Sequence, residues 1–336
     1  MNLKRWIALG IAAFLLVFSI GLNLILSIFS TNFFSQFESL ASTDIELMET
    51  VIEPGSTNER IAYLSVNGVI QDLGTSSGWG AVDYDHQRFL AALEQIRMDD
   101  TVKGIVLYVN SPGGGAIESA EVHKKLVEIK EERGIPIYVS MGNMAASGGY
   151  YISAPADKIY AHRETITGSI GVIIQSFNYA KLAENIGIEF ETIKSGAHKD
   201  MFGGARPSTE EELAMIQEMI DDSYEVFVDV VAEGRGMSET EVKKVADGRI
   251  LGGKQAIDAG LVDELGNVED AIASLRGDYG LEDAQLFEYD MTFSSFGSLF
   301  GMKVSSFFGP SPEERMFARL LSSYDAPRLM YIYGEY

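Results

Sequence analysis

Gly104-Ile105-Val106-Leu107-Tyr108-Val109 runs directly into Asn110-Ser111-Pro112-Gly113-Gly114-Gly115. The first part is an uncharged aliphatic run with the composition of a buried strand. The second is a glycine turn. Beyond it Val122, Leu126 and Ile129 recur at helical spacing, so a helix follows the turn. A strand, a turn at its carboxyl end and a helix form the repeating unit of an α/β sheet. Outward from this unit the same alternation continues. Ile61 to Val66 reads as a strand, and Phe89, Leu90, Leu93 and Ile96 form a helical face. Ile135 to Ser140, Ile159 to Ala161, Gly171 to Ile174 and Phe190 to Ile193 read as further strands. Ser208 with Glu211 and Ser238 with Glu241 have the spacing of capping boxes, each opening a helix. The expected fold is α/β, with a largely parallel sheet covered by helices. No internal repeat or low-complexity tract interrupts it.

Composition narrows the functional classes. The chain has 336 residues, 46% hydrophobic and 22% charged, which suits a folded protein with a full core. Its formal net charge of −23 argues against a nucleic-acid partner, because no basic surplus is available to neutralise phosphates. There is no cysteine, so disulfides, thiolate nucleophiles and zinc–thiolate sites are excluded. The four histidines, His86, His123, His162 and His198, lack metal-ligand spacing, and no metal or cofactor is expected. Gly248 to Lys254 has the glycine and lysine spacing of a P-loop, but Gln255 replaces the required Ser/Thr and no apolar strand precedes it. Nucleotide binding is not expected.

Trp6 to Phe29 is almost continuously apolar and long enough to span a bilayer as a helix, which takes about 20 residues. Lys4 and Arg5 precede it, no small-x-small cleavage site follows, and the next basic residue is Arg60. The expectation is an uncleaved anchor with a cytoplasmic N-terminus and an extracytoplasmic body. The domain reading is then 1–29 tip and anchor, 30–58 stalk, 59–285 body, and 286–336 tail. The tail ends Leu329-Met330-Tyr331-Ile332-Tyr333-Gly334-Glu335-Tyr336 and is rich in aromatics with few charges. It reads as a segment that packs on a neighbouring subunit, the membrane surface or the chain's own cleft.

Two residues carry the candidate chemistry. Ser147 lies in Gly142-Asn143-Met144-Ala145-Ala146-Ser147-Gly148-Gly149-Tyr150-Tyr151, where small neighbours admit a peptide backbone. A helix starting at Ser147 would turn free N–H groups toward a developing oxyanion. The same motif also suits a small-residue packing site. Lys199 lies in Lys194-Ser195-Gly196-Ala197-His198-Lys199-Asp200 and, held neutral by burial, can serve as a base. On residue type alone a lysine is more often a solvated surface group. His198 is a poorer base, since neighbours on extended chain point opposite ways. The glycine turn at 110–115 lies at the carboxyl end of a strand, where open α/β sheets bind ligands. An N–H there, from Gly114, can pair with that of Gly148 as an oxyanion hole. Thr165-Ile166-Thr167-Gly168-Ser169-Ile170-Gly171 supplies hydroxyls, one of which can hold the lysine amine.

At these residues the chain resembles the signal peptide peptidase A family, in its half-length Gram-positive form. The resemblance rests on Asn110-Ser111-Pro112-Gly113-Gly114, Ala146-Ser147-Gly148-Gly149-Tyr150-Tyr151, Thr167-Gly168-Ser169-Ile170-Gly171, Ser195-Gly196 with Lys199, and Asp247-Gly248-Arg249, in that order. It covers about Arg60 to Gly266. It implies a Clp/crotonase-like superhelix with Ser147 as nucleophile and Lys199 as general base. Ser169 then orients the lysine, and Gly114 and Gly148 form the oxyanion hole. It also implies peptide substrates, no cofactor, and a membrane-facing homo-oligomeric ring, octameric for half-length chains. The expected function is ATP-independent degradation of released signal peptides and other unfolded peptides. A non-proteolytic membrane scaffold that binds peptides on the same fold is the alternative. A crotonase-type acyl-CoA enzyme is disfavoured by the anchor and by the lack of a CoA-directed basic cluster.

Overall fold

A computed structural model describes residue 19 and residues 47–72, 84–289 and 328–334. The expected anchor, except Ser19, lies outside the described residues, as do most of the expected stalk and tail. No helix among the described residues is long and apolar enough to cross a membrane.

Among the described residues one nine-stranded sheet organises the body. Its central strands are β2 (Ser56–Asn67), β3 (Val102–Ser111) and β5 (Ile137–Ala146), paired in parallel. β6 (Lys158–Ala161) and β9 (Glu264–Leu265) extend it in parallel on one side. On the other, β10 (Ala284–Tyr289) pairs in parallel with β2, and β1 (Glu49–Glu53) pairs antiparallel with β10. Strands β1 and β10 therefore take residues expected in the stalk and tail into the sheet. β7 (Ile166–Gly168) adds to the far end of β5, and β8 (Ile250–Gly252) pairs with β7.

Alternation along β3 explains the two covered faces. Ile105, Leu107 and Val109 point into a core shared with Phe89, Leu93 and Ile96 of α1 (His86–Met98) and with Val122, Leu126 and Ile129 of α2 (Ala116–Arg133). Val106 points the other way, toward Tyr138, Tyr160 and the later helix at 268–279, from Ala271 and Leu275. Successive side chains on a strand face opposite sides, so an unbroken apolar run supplies both cores at once.

Several sequence expectations shift. Gly171 to Ile174 makes only an isolated bridge, Ile173 with Met330, and Phe190 to Ile193 forms no strand. The latter run is exposed and has no ladder partner among the described residues, and β-propensity without a neighbouring strand does not make a sheet. The first capping box falls one residue later than expected, on Thr209 and Glu212. Arg206 selects that register by holding the buried Glu212 carboxylate at 2.5 and 2.9 Å. The Ser238–Glu241 box is as expected.

Candidate active site

The glycine turn after β3 becomes a short strand, β4 (Gly113–Gly115), that leads into α2. Ile70 lies along one edge: its N–H donates to Gly113 O, and Gly115 N donates to Ile70 O, both over 2.9 Å. Along the other edge runs β11 (Met330–Ile332), antiparallel, with Tyr331 opposite Gly114. Both flanks approach too closely for side chains. A Cβ on Gly114 would collide with the Ile70 carbonyl, and one on Gly113 with the Tyr331 carbonyl. Gly113 also has φ +99°, which only glycine adopts freely.

Ser147 stands where β5 ends and α3 (Gly148–Ser153) begins. Its φ of 54° and ψ of −117° are strained for a side-chain-bearing residue, and it is 1% exposed. Its backbone N–H donates to Gly168 O over 2.8 Å, which ties the turn to β7. Ser169, the next residue, also has positive φ, 50°, and is buried. Thr165 and Thr167 spend their hydroxyls on the carbonyls of Gly142 (2.7 Å) and Ala145 (2.6 Å). Those two threonines therefore brace the strand that carries Ser147. Ser169 lines a cavity of about 470 Å³ together with Val172, Ile173, Ile220, Tyr224, Asp247 and Ile332.

Gly114, Gly148 and Tyr331 converge. A Cβ built on Gly148 would lie 2.5 Å from Ser119 Oγ, 2.9 Å from the Tyr331 carbonyl oxygen and 3.1 Å from Gly114 N. Two glycine backbones and a peptide carbonyl therefore share a space that a methyl group would fill. Ser119 Oγ is buried there without a hydrogen-bond partner among the described residues.

Among the described residues no hydrogen bond joins the Lys199 amine to the Ser147 hydroxyl. Lys199 is exposed, in a turn where its N–H donates to Gly196 O over 3.3 Å. Lys194 and Arg206 fix this turn by gripping Asp200, each at 2.6 Å, and those two cations draw the Asp200 carboxyl down well below the usual carboxylate range. His198 lies at 3.6 Å from Glu212, on the side of this network. Apolar side chains stand exposed along the arm formed by residues 177–206, which carries this turn: Phe177, Leu182, Ile186, Phe190 and Ile193, the last 95% exposed.

Sequence reasoning missed the pocket that holds Tyr331. Its ring stacks on Tyr151 (5.0 Å between centroids, 24°) and leans on Phe227 (4.8 Å). Its hydroxyl meets Ser223 Oγ at 2.9 Å, and burial pushes its phenol pKa up. Tyr151 was in view within the serine motif, but nothing local marks it as a pocket wall. Phe227 and Ser223 come from α4 (Glu210–Arg235), distant in sequence.

An α/β sheet whose central strands end in a glycine ladder beside a buried, strained serine has the architecture of a serine hydrolase. Comparison with known proteins narrows the class. Residues 129–282 match Peptidase family S49. A putative signal peptide peptidase SppA of Enterococcus faecium is 44% identical over 99% of both chains. A putative protease of Methanocaldococcus jannaschii is 40% identical over 62% of this chain and 66% of its own. Protease 4 of Haemophilus influenzae is 35% identical over 66% of this chain and 35% of its own. The chain belongs to the signal peptide peptidase A family of serine peptidases.

Proposed function

We propose that this serine peptidase degrades released signal peptides and other unfolded segments, anchored by the N-terminal apolar run, on a Clp/crotonase-type fold. The observation that carries the reading is strand β11. An extended segment of the chain lies antiparallel on β4, with the Tyr331 carbonyl against Gly113 and Gly148. Addition to a sheet edge is how extended peptides are recognised without regard to most side chains. Released signal peptides are apolar and lack stable structure, so they suit an apolar cleft that reads backbone.

In this reading Lys199 takes the Ser147 hydroxyl proton while Oγ bonds to the substrate carbonyl carbon. The resulting oxyanion is held by the N–H groups of Gly114 and Gly148. The intermediate collapses, the C–N bond breaks, and the leaving amine takes the proton from Lys199. Water then attacks the acyl ester, giving its proton to Lys199, and Ser147 recovers its hydroxyl as the acid leaves. Ser169 orients the lysine amine. Thr165 and Thr167 are engaged with β5, and among the described residues no hydrogen bond occupies the Ser169 hydroxyl.

Lys199 is exposed, and exposed apolar side chains share its arm. This combination supports a ring in which the arm of one copy packs on its neighbour and delivers Lys199 to that neighbour's Ser147, consistent with an octamer. The tail occupies the cleft as a substrate does and competes with incoming peptides. Peptide hydrolysis and fluorophosphonate labelling, compared between the native protein and Ser147→Ala, test the core of this proposal. Both are expected to vanish in the variant. Hydrolysis that survives the loss of the Ser147 hydroxyl overturns it in favour of another nucleophile.

A further inference from the structure

Arg328 precedes β11, three residues before Tyr331. Its guanidinium donates to Glu118 Oε1 over 3.2 Å and to Gln71 Oε1 over 3.3 Å. Glu118 belongs to the first turn of α2, and its side chain is 12% exposed. The carboxylate folds back over Gly115, where a Cβ would collide with Oε2. The Asp72 N–H donates to the same Oε1 over 3.4 Å. A carboxylate in the first turn of a helix is common, because the helix dipole favours it there. That preference does not account for a guanidinium spread between this carboxylate and an amide oxygen from a different element. The two acceptors flank the path of the bound strand, three residues before Tyr331.

We propose that Glu118 and Gln71 form a subsite that selects a basic side chain three residues before the residue whose carbonyl is attacked, the fourth before the cleaved bond. The inference rests on the reading that the tail lies as a substrate does, with the bond after Tyr331 at the active site. It adds a polar rule to a cleft that otherwise reads backbone and apolar bulk. The enzyme then cuts where a basic residue is followed closely by an apolar or aromatic run. A signal peptide has this layout at the junction of its basic n-region and apolar h-region. The first cut in such a substrate falls near that junction, on its apolar side.

The test uses internally quenched peptides carrying Leu-Met-Tyr-Ile, preceded by Arg, Gln or Glu, and the full-length protein. The readout is the ratio of kcat/KM between peptides for one enzyme. Competition by the tail lowers every kcat/KM by the same factor, so it cancels in the ratio. The native protein should favour Arg over Gln by about tenfold, in keeping with one partly buried, charge-assisted pair. Glu118→Gln, which keeps an acceptor for the Asp72 N–H, should bring the ratio close to one. Glu118→Lys should reverse it toward the Glu peptide. A native ratio near one, or an Arg preference that survives in Glu118→Gln, overturns the subsite. Mass spectrometry of the products separates this from failure of the underlying reading. Cleavage after Tyr without an Arg preference refutes the subsite alone, whereas cleavage elsewhere in all peptides refutes the register that the tail defines.

Discussion

The backbone N–H of Ser147 donates to the carbonyl of Gly168 over 2.8 Å. This bond joins the strained end of β5 to the end of β7, one residue before Ser169. Both serines have positive φ, a conformation that costs on the order of 1–3 kcal/mol each and persists only where the surroundings impose it. Here the imposing elements are the β5–β7 ladder and the two threonine hydroxyls that brace β5.

Ser147→Ala and Lys199→Ala should each abolish peptide hydrolysis, by about 10³-fold or more, and the double variant should be no worse than either. If the lysine acts across a subunit boundary, co-assembly of the two single variants restores activity. In a ring with random mixing, about a quarter of the sites combine an intact serine with a neighbour's intact lysine. Assays of the refolded mixture decide this. No recovery would place the lysine in the same copy as its serine, or assign the base elsewhere.

Gly148→Ala should cost peptide hydrolysis about 10²-fold or more. The added methyl would crowd the Tyr331 carbonyl position at 2.9 Å and Gly114 N at 3.1 Å, where the oxyanion is to be held. The loss should appear in kcat, with the unfolding midpoint measured in parallel to show that the fold survives. Normal turnover in this variant would remove Gly148 from the oxyanion site.

The tail should be trimmed after Tyr331 by active protein and remain whole in Ser147→Ala, as read by intact mass after long incubation. Its tether gives it an effective concentration on the order of millimolar. Deleting residues 328–336 should therefore raise turnover of added peptides. Tyr331→Ala should do so partially, because it loses two aromatic contacts worth about 0.5–1.5 kcal/mol each. A tail that stays intact in active protein, with unchanged hydrolysis on its deletion, would make it a structural strand only.

His123 on α2 meets Tyr151 edge-on at 5.2 Å, and burial pushes its imidazole pKa down from 6.5 to about 4. The fold disfavours the charged form, so on acidification the unfolded chain takes up the proton first. This contribution to stability is complete above pH 6.5, declines as pH falls toward 4, and is constant below that. It amounts to at most about 3 kcal/mol. Urea unfolding at pH 7.5 and 4.5 should show a smaller acid loss in His123→Phe, which keeps a ring against Tyr151. An equal loss in both proteins would show that His123 is not the group responsible.

What the sequence determined by itself is everything carried by short-range pattern. The run Gly104 to Val109 announces a strand because burial on both faces demands apolar residues at every position. The helical faces of α1 and α2 follow from spacing in the same way. The serine and glycine motifs were visible because close backbone approach excludes side chains, and glycine is the written trace of that exclusion. The run Phe190 to Ile193 looks like a strand but has no ladder partner among the described residues, since strand formation needs a neighbour that local pattern does not name. Ser208 and Glu211 fit a capping box, yet Arg206 fixes the register on Thr209 and Glu212 instead. Only the tertiary structure set Tyr331 against Gly114, brought Phe227 and Ser223 around its ring, and placed Glu118 and Gln71 on one arginine. Those meetings join residues far apart in the chain, and contacts closed by folding leave no period in the sequence to read.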